Sequence, residues 1–408
     1  MSGGVDSSVA ALLLKKQGYN VVGVFMRCYN LDGCAEQDAE DARRVAEHLE
    51  IPFYVWDFEE EYKRRVVEYM IEGYRSGITP NPDVMCNKEI KFGLFFKRAI
   101  ASGADFVATG HYVSLRPLAR TAVRSLQRRA PAASRSDESR KAGHQAHRNS
   151  ESFSQEDLVQ FGLFEAKDKN KDQSYFLWTL TQKQLQYCLF PIGEYLKPDV
   201  RAIARKAGLP TAEKKDSQGI CLLGKVSAAD FLKQYIPEKR GAVLNVAGEK
   251  IGEHRGAAFY TIGQRHINIE NPKSEIRNPK RGPTYVSEKN VRTNTLVVAE
   301  GSKNEALYRK EIKLANVNFI TPQLHHPYKL ENVRMFVRAR VRYRQPLTRA
   351  TLLFSYSREL EKRNFHTDQK SRISCKLVFK TPQKFVAPGQ SAVLYSQKSE
   401  MLGGGVIA

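Results

Sequence analysis

Two cysteines in this sequence are candidates for sulfur chemistry, and the first is Cys86. Asp83 lies three residues ahead of it, and the preceding Asn81-Pro82 pair predicts a helix start, with asparagine as cap and proline at the first helical position. The spacing places Asp83 and Cys86 on one face of the first turns, where the helix dipole favours a thiolate. Asp83 can then serve as a general acid or base. The alternative is a buried cysteine without a chemical role.

The second cysteine is Cys221, which ends the polar, glycine-containing stretch Asp216-Ser217-Gln218-Gly219-Ile220. This turn predicts an exposed and mobile backbone, and a mobile thiol suits a sulfur carrier that meets a donor and then an acceptor. A strand cysteine on an apolar edge is the alternative. Cys28 and Cys34 form a Cys-x5-Cys pair, but there is no second pair at zinc spacing, so no tightly bound metal is expected.

An anion site is predicted in the opening segment, which consists of Ser2, Gly3, Gly4, Val5, Asp6, Ser7 and Ser8. The glycines allow a tight turn, Ser7 and Ser8 predict a cap for the apolar helix that follows, and the N-terminus of that helix attracts anions. No lysine follows the glycines, which favours a pyrophosphate group held while chemistry occurs at an α-phosphate. Asp6 could hold Mg²⁺ on those phosphates. An ordinary capped glycine turn is the alternative interpretation.

Strands and helices alternate after the opening segment, which predicts an α/β domain built on a parallel sheet with helices on both faces. Predicted strands cover residues 19–26, 51–56 and 105–110, and predicted helices cover about 35–50, 59–75 and 88–102. Ligands bind such sheets at the carboxyl ends of the strands. The opening segment, Met26 and Gly110-His111 are all expected at these ends. No strand precedes the opening segment in this sequence.

Three domains are predicted along the chain. Residues 1–224 form the nucleotide-binding domain, 225–287 a small β-rich central domain and 288–408 a C-terminal β-barrel. Residues 114–154 are rich in Arg, Ser and Ala without periodicity, which predicts a disordered basic insertion. A surface insertion without a role is favoured there over contact with RNA phosphates. Residues 355–374 predict a second polar insertion.

The charge of the chain favours a polyanionic partner, because 65 Lys and Arg residues face 44 Asp and Glu residues, a formal net charge of +21. On the predicted strand 333–343, alternation places Arg334, Arg338, Arg340 and Arg342 on one face. That row indicates nucleic-acid contact, with a solvated barrel exterior as the alternative. Six scattered cysteines and the lack of a signal peptide or membrane-length apolar run predict a cytoplasmic protein.

In its ordered motifs the sequence resembles the tRNA-uridine 2-sulfurtransferases (tRNA 2-thiouridylases), which are ATPases of the pyrophosphatase-loop type. The similarity spans nearly the whole chain. Its motifs are residues 2–8, 81–87, 108–112, 171–175, 216–221, 260–266, 342–346, 388–392 and 402–407. The resemblance implies an adenine-nucleotide α-hydrolase-like domain ahead of the two β domains.

The resemblance also implies a reaction. ATP with Mg²⁺ would bind residues 2–8, with Met26 and Gly110 at the adenosine. The family adenylates the 2-oxygen of the wobble uridine of tRNA, and a persulfide on Cys221 then attacks the activated carbon. Cys86 would break the S–S bond and leave a transient Cys86–Cys221 disulfide, with Asp83 as acid or base.

The implied partners are the tRNA anticodon loop and a persulfide donor or relay protein, and a monomer is expected. The residues implied to contact the target base or the rest of the tRNA are Asn81, Pro82, Asp83, His111, Lys171, Asp172, Gln173, Arg342, Tyr343 and Gln390.

Two other functions compete with this one. An amidotransferase-type ligase that uses ammonia would share the opening segment but would need no cysteine pair. A non-catalytic RNA-binding protein would retain a degenerate nucleotide domain, and ATP–pyrophosphate exchange in the presence of tRNA would separate it from an enzyme. The Asp-x-x-Cys spacing and the basic β domain favour the sulfurtransferase over the ligase.

Overall fold

A computed structural model of the protein describes residues 1–29, 33–118, 160–216, 226–265, 267, 283–321, 334–356 and 373–408. Within these ranges, none of the helices has the length and apolar character needed to cross a membrane. Cys221 and most of both predicted insertions (residues 119–159 and 357–372) lie outside the described residues.

The N-terminal domain alternates helices and strands, as the sequence predicts. Its helices are α1 (Val5–Lys16), α2 (Cys34–His48), α3 (Glu59–Tyr62), α4 (Glu68–Arg75), α5 (Pro82–Met85), α6 (Phe96–Ala101), α7 (Gln182–Leu185) and α8 (Lys197–Lys206). Its strands are β1 (Gly23–Arg27), β2 (Phe53–Asp57), β3 (Val107–Ala108), β4 (Val113–Pro117), β5 (Phe161–Glu165) and β6 (Cys188–Leu189). Two π-helical segments, Lys63–Val67 and Cys86–Phe95, join α3 to α4 and α5 to α6.

The predicted parallel pairing is confirmed for two pairs of strands in this domain. Strand β1 pairs with β2 in parallel, and β3 pairs with β6 in parallel. Helix α1 is apolar on nearly every side, and its buried residues pack with residues of α2 and α8; its Val9 is fully buried. The opening segment therefore leads into a fixed core helix.

The middle domain is a sheet of four strands, β7 (Gly241–Asn245), β8 (Lys250–His254), β9 (Thr284–Asn290) and β10 (Thr295–Glu300), in the order β8-β7-β10-β9. Between β8 and β9, Ala257–Phe259 forms a 3₁₀ turn after Gly256, which has φ +147°. The predicted boundary at residue 287 falls inside β9, where Val286 pairs with Val298. The sheet extends to Glu300, so the boundary lies beyond that residue. Helix α9 (Ala228–Leu232) precedes this sheet.

The C-terminal domain is a closed six-stranded barrel, as expected. Its strands are β11 (Tyr308–Phe319), β12 (Arg334–Arg340), β13 (Thr348–Tyr356), β14 (Ile373–Lys384), β15 (Ser391–Tyr395) and β16 (Glu400–Ile407). The order is β11-β14-β13-β12-β15-β16, and pairing of β11 with β16 closes the barrel. Leu314, Leu352, Leu377 and Leu394 are among the residues that fill its interior.

The N-terminal domain contributes two strands to the barrel sheet. Strand β5 pairs with β16 through Leu163 and Met401, and β4 pairs with β5. Because residues 114–117 belong to β4, the predicted insertion cannot begin at residue 114. One hydrogen-bonded sheet therefore runs from the barrel into the N-terminal domain.

A buried ion-pair group also joins these two domains. The Arg340 guanidinium, whose side chain is only 5% exposed, pairs with Glu165 and lies 3.2 Å from Asp172. Burial raises the pKa of Asp172, and the arginine charge opposes that shift. The expectation that Arg340 belongs to a solvated or RNA-facing row is therefore wrong, because its guanidinium is buried and paired with two carboxylates of the N-terminal domain.

We expect Arg340→Ala to lower the free energy of unfolding by about 3–5 kcal/mol, because two buried carboxylates would lose their partner. Arg338→Ala is the matched control, since Arg338 lies two residues earlier on the same strand and is only partly buried. Its effect should stay within about 0.5 kcal/mol. Urea unfolding of both variants measures the difference, and equal losses would contradict the role given to Arg340.

Candidate active site

The opening segment has a backbone that admits only glycine at its turn. Gly3 has φ +68°, and a Cβ atom there would overlap the carbonyl oxygen of Asp38. Gly4 is extended and is the N-cap of α1. The predicted capping by Ser7 and Ser8 is wrong, because both lie inside the first turn and donate to the Gly4 carbonyl, at 3.1 and 2.9 Å.

The loop after β3 packs directly on the opening segment. A Cβ atom on Gly110 would lie 2.7 Å from the Ser7 nitrogen and 2.8 Å from the Asp6 carbonyl carbon. The expected meeting of the end of β3 with the opening segment is therefore present. The adenosine contacts of Gly110 and Met26 stay predictions.

A charged cluster surrounds the first turn of α1. The Asp6 carboxylate accepts hydrogen bonds from Lys197 Nζ at 2.7 and 2.9 Å and from the Tyr112 hydroxyl at 2.8 Å. Lys197 Nζ is also 2.8 Å from Asp216 Oδ1. Burial, together with the Asp6 charge, raises the pKa of Tyr112, so the phenol stays a donor to Asp6.

Asp216 has two further cationic partners. Lys171 Nζ donates to its Oδ2 at 2.6 Å, and Arg201 donates to its Oδ1 at 2.7 Å. Burial alone would raise the pKa of Asp216, but the hydrogen bonds from Lys171 and Lys197 outweigh it and lower the pKa to about 2. Asp216 is therefore a carboxylate at neutral pH, and it is the last described residue before the stretch that carries Cys221.

Cys86 lies where local sequence signals predict it. The Asn81 side chain accepts a hydrogen bond from the Val84 nitrogen at 3.2 Å, and Pro82 opens the helix, so the predicted start is confirmed. Asp83 lies one turn before Cys86, which is 5% exposed and begins the π-helical segment. Insertion of π geometry into a helix often marks a functional position.

Cys86 belongs to a hydrophobic cluster that we name the Cys86 cluster. Its buried members are Phe58, Tyr62, Val66, Val67, Met70, Ile71, Tyr74, Cys86, Ile90, Phe231, Leu232 and Ile236. Met26, at the end of β1, packs against it from one side, and Val226, the first described residue after the Cys221 stretch, packs against it as well. Cys28 is another partly buried neighbour.

The barrel holds the chain that leads into the Cys86 helix. The Gln390 side chain donates to the carbonyl oxygens of Thr79 and Pro80 at 3.0 and 3.2 Å, and the Thr79 nitrogen donates to Pro388 at 2.7 Å. The predicted base-contacting residues Asn81, Pro82 and Asp83 follow directly. Gln390 of the C-terminal domain thus fixes the backbone that leads to Asp83 and Cys86 in the N-terminal domain.

The other residues predicted to contact tRNA are largely engaged inside the protein. His111 is 8% exposed, its Nδ1 lies 2.8 Å from Thr109 Oγ1, and burial lowers its pKa well below the usual range. The Gln173 side chain accepts from the Tyr112 nitrogen at 3.0 Å. Arg342 donates to the Phe385 carbonyl at 2.9 Å, and the Tyr343 ring lies 4.5 Å from that of Phe176. Contact of these residues with tRNA stays a prediction.

Sequence reasoning missed Lys197, Tyr112 and Arg201. Lys197 and Arg201 lie four residues apart on α8, and Tyr112 lies between β3 and β4, so the three side chains meet around Asp6 and Asp216 only in the folded chain. A lysine at the first position of a helix is the one available signal, because the helix dipole disfavours a cation there.

Three family models match successive parts of the chain. The model described as "tRNA methyl transferase HUP domain" matches residues 1–225, "tRNA methyl transferase PRC-barrel domain" matches 229–300 and "Aminomethyltransferase beta-barrel domain" matches 309–407. The second match ends at residue 300, where the middle sheet also ends.

Curated relatives resemble the chain over its full length. The proteins named "tRNA-specific 2-thiouridylase MnmA" from Streptococcus thermophilus and Nitrosomonas eutropha are each 38% identical over 413 aligned residues, which cover 100% of this chain and 93% and 96% of theirs. The protein of the same name from Streptococcus equi subsp. zooepidemicus is 39% identical, with 93% of its length covered. The chain therefore belongs to the tRNA-specific 2-thiouridylase family.

Proposed function

We propose that this chain is an ATP-dependent tRNA sulfurtransferase that replaces the 2-oxygen of the wobble uridine with sulfur carried by Cys221. One observation carries the proposal: the stretch that bears Cys221 leaves from Asp216 in the charged cluster and returns at Val226 on the Cys86 cluster. Cys221 is five residues from each of these two residues. Five residues of chain span at most about 18 Å.

The opening segment would hold the triphosphate of ATP. The Gly3 turn brings backbone amides and the positive end of α1 to one place, which favours phosphate. The Asp6 carboxylate is a ligand of the kind that Mg²⁺ prefers, and its side chain is 33% exposed. Among the described residues no group of three His, Cys, Asp or Glu side chains could hold a metal alone. Mg²⁺ at Asp6 would take phosphate oxygens and water as its other ligands.

The first step would be attack of the uridine 2-oxygen on the α-phosphorus of ATP, with pyrophosphate as leaving group. This converts the 2-oxygen into part of an AMP ester, which is a good leaving group at C2. Extrusion of the base is inexpensive in the single-stranded anticodon loop. Asn81, Pro82 and Asp83 would meet the target base, since they lead into the Cys86 helix.

The second step would transfer sulfur. The terminal sulfur of a Cys221 persulfide attacks C2, and the bond to AMP breaks. The Cys86 thiolate then attacks the Sγ of Cys221, so the S–S bond breaks, its electron pair stays on the sulfur at C2, and a Cys86–Cys221 disulfide forms. Asp83 would accept the thiol proton, because it lies one turn away on the same helix. A cellular thiol reductant would restore both cysteines.

His111, Lys171, Asp172, Gln173, Arg342, Tyr343 and Gln390 remain proposed tRNA-side residues. Those with engaged side chains would act by shaping the backbone that meets the tRNA. Gln390 is the clearest example, since it fixes the carbonyls of Thr79 and Pro80. The net charge of +21 supports binding of a polyanion.

Nucleoside mass spectrometry tests the proposal. tRNA incubated with the protein, Mg-ATP and a persulfide donor should yield 2-thiouridine, and omission of ATP should prevent it. Cys221→Ser should reduce the yield by at least about 1,000-fold, because a hydroxyl cannot carry a persulfide. A Cys221→Ser protein that still makes 2-thiouridine at the wild-type rate would refute the assigned sulfur route.

A further inference from the structure

The Lys197 side chain belongs to the charged cluster, and the proposed reaction gives it no role. Its side chain is 10% exposed, and its ammonium bridges Asp6 of the opening segment and Asp216. The backbone nitrogen of Lys197 donates to Asp168 at 2.9 Å, which fixes the base of the side chain at the start of α8. The ammonium is therefore aimed at the first turn of α1 by an element distant in sequence.

The start of a helix is an unfavourable place for a lysine, and here Asp6 and Asp216 offset that cost. The start of a helix repels cations, and burial of an ammonium costs free energy unless anions surround it. Asp216 does not need this partner, because Lys171 and Arg201 also bind it, at 2.6 and 2.7 Å. The cation that faces Asp6 is thus available to a second anion.

The opening segment itself lacks a lysine after its glycines, which leaves a bound triphosphate without a cationic side chain from that loop. We propose that Lys197 supplies it by contacting the β- and γ-phosphates of ATP and the pyrophosphate that departs. The inference rests on the proposed ATP site. With Asp6 as a ligand of Mg²⁺, the Lys197 ammonium would be free to turn from Asp6 to a phosphate oxygen, while Asp216 would still accept from it.

Direct binding measurements on the full chain test this assignment without tRNA. With Mg²⁺ present, calorimetry should show that Lys197→Met weakens ATP and inorganic pyrophosphate by about 10–100-fold, the usual effect of losing a charged hydrogen bond. AMP affinity should change less than about twofold, since AMP lacks the phosphates that Lys197 contacts. Lys197→Arg should recover part of the loss.

Lys214→Met is the matched control. Lys214 also bridges two carboxylates, Asp38 and Asp41, but it faces α2 and not the first turn of α1. It should leave the affinities for all three ligands within about threefold. Lys197→Gln replaces Lys197→Met if the latter does not fold, which a thermal melt will show.

A parallel loss of AMP and ATP affinity in the Lys197 variants, or no loss of either, would overturn the assignment. The outcome is separable from the proposed function. Wild-type protein that binds ATP and pyrophosphate in the Lys197-dependent pattern but forms no 2-thiouridine would refute sulfur transfer and leave the phosphate role standing. If the wild-type protein forms 2-thiouridine but Lys197→Met binds ATP and pyrophosphate as tightly as the wild type, the phosphate role is refuted and sulfur transfer stands.

Discussion

Cys86→Ser should stop the formation of 2-thiouridine while AMP formation on tRNA continues. Serine fits the same buried space, but its hydroxyl cannot attack the Cys221 sulfur, so the sulfur delivered to C2 would stay bound to the protein. The residues named as members of the Cys86 cluster do not include any of the opening segment, so adenylation should be spared. We expect the yield of 2-thiouridine to fall by at least about 1,000-fold. ATP–pyrophosphate exchange, measured with tRNA present, should fall less than about threefold.

Cys28→Ser is the control for this variant. Cys28 packs against the same cluster as Cys86 and is more accessible, so its loss removes a neighbouring thiol from similar surroundings. Thiolation should persist there at near the wild-type rate. Equal loss of thiolation in Cys28→Ser and Cys86→Ser would show that the cluster, and not the Cys86 thiol, limits the reaction.

Gly3→Ala should lower the rate of ATP-dependent chemistry by about 100-fold. The added methyl group meets the Asp38 carbonyl in a backbone conformation that disfavours alanine, so either the turn opens or α2 moves. Displacement of the phosphate-binding amides by about 1 Å is enough to cost about 100-fold in rate. ATP–pyrophosphate exchange and thiolation should therefore fall together, unlike in Cys86→Ser.

Gly103→Ala provides the comparison, because Gly103 also has positive φ, +91°, but no atom lies within 4 Å of the added Cβ. It should cost about 1 kcal/mol of stability and leave both activities near the wild-type level. Retention of ATP–pyrophosphate exchange in Gly3→Ala would remove the opening segment from the nucleotide site.

Local signals in the sequence sufficed where a feature depends on a few consecutive residues. Asn81 and Pro82 start the Cys86 helix as predicted, because capping and the fixed φ of proline act within one turn. The alternation of strands and helices likewise predicts the parallel pairing of β1 with β2. Both features are decided by neighbours along the chain.

Features that depend on distant residues escaped prediction. Lys197 reaches Asp6 across 191 positions, and Arg340 reaches Glu165 across 175, so neither pair leaves a pattern in the sequence. Alternation placed Arg340 correctly on the outer face of its strand, but it could not show that the N-terminal domain covers that face. The capping predicted for Ser7 and Ser8 failed because Gly3 tightens the turn and starts the helix earlier, at Val5.

The continuous sheet formed by β4, β5 and β16 limits how the enzyme can select its substrate. Swinging the barrel away from the Cys86 helix would require breaking the backbone ladder between Leu163 and Met401. The barrel and the Cys86 helix are therefore held at a fixed distance from each other. A tRNA that bridges both must match that span in its own shape, so discrimination would rest on the fit of the whole molecule and not on closure of one domain over another.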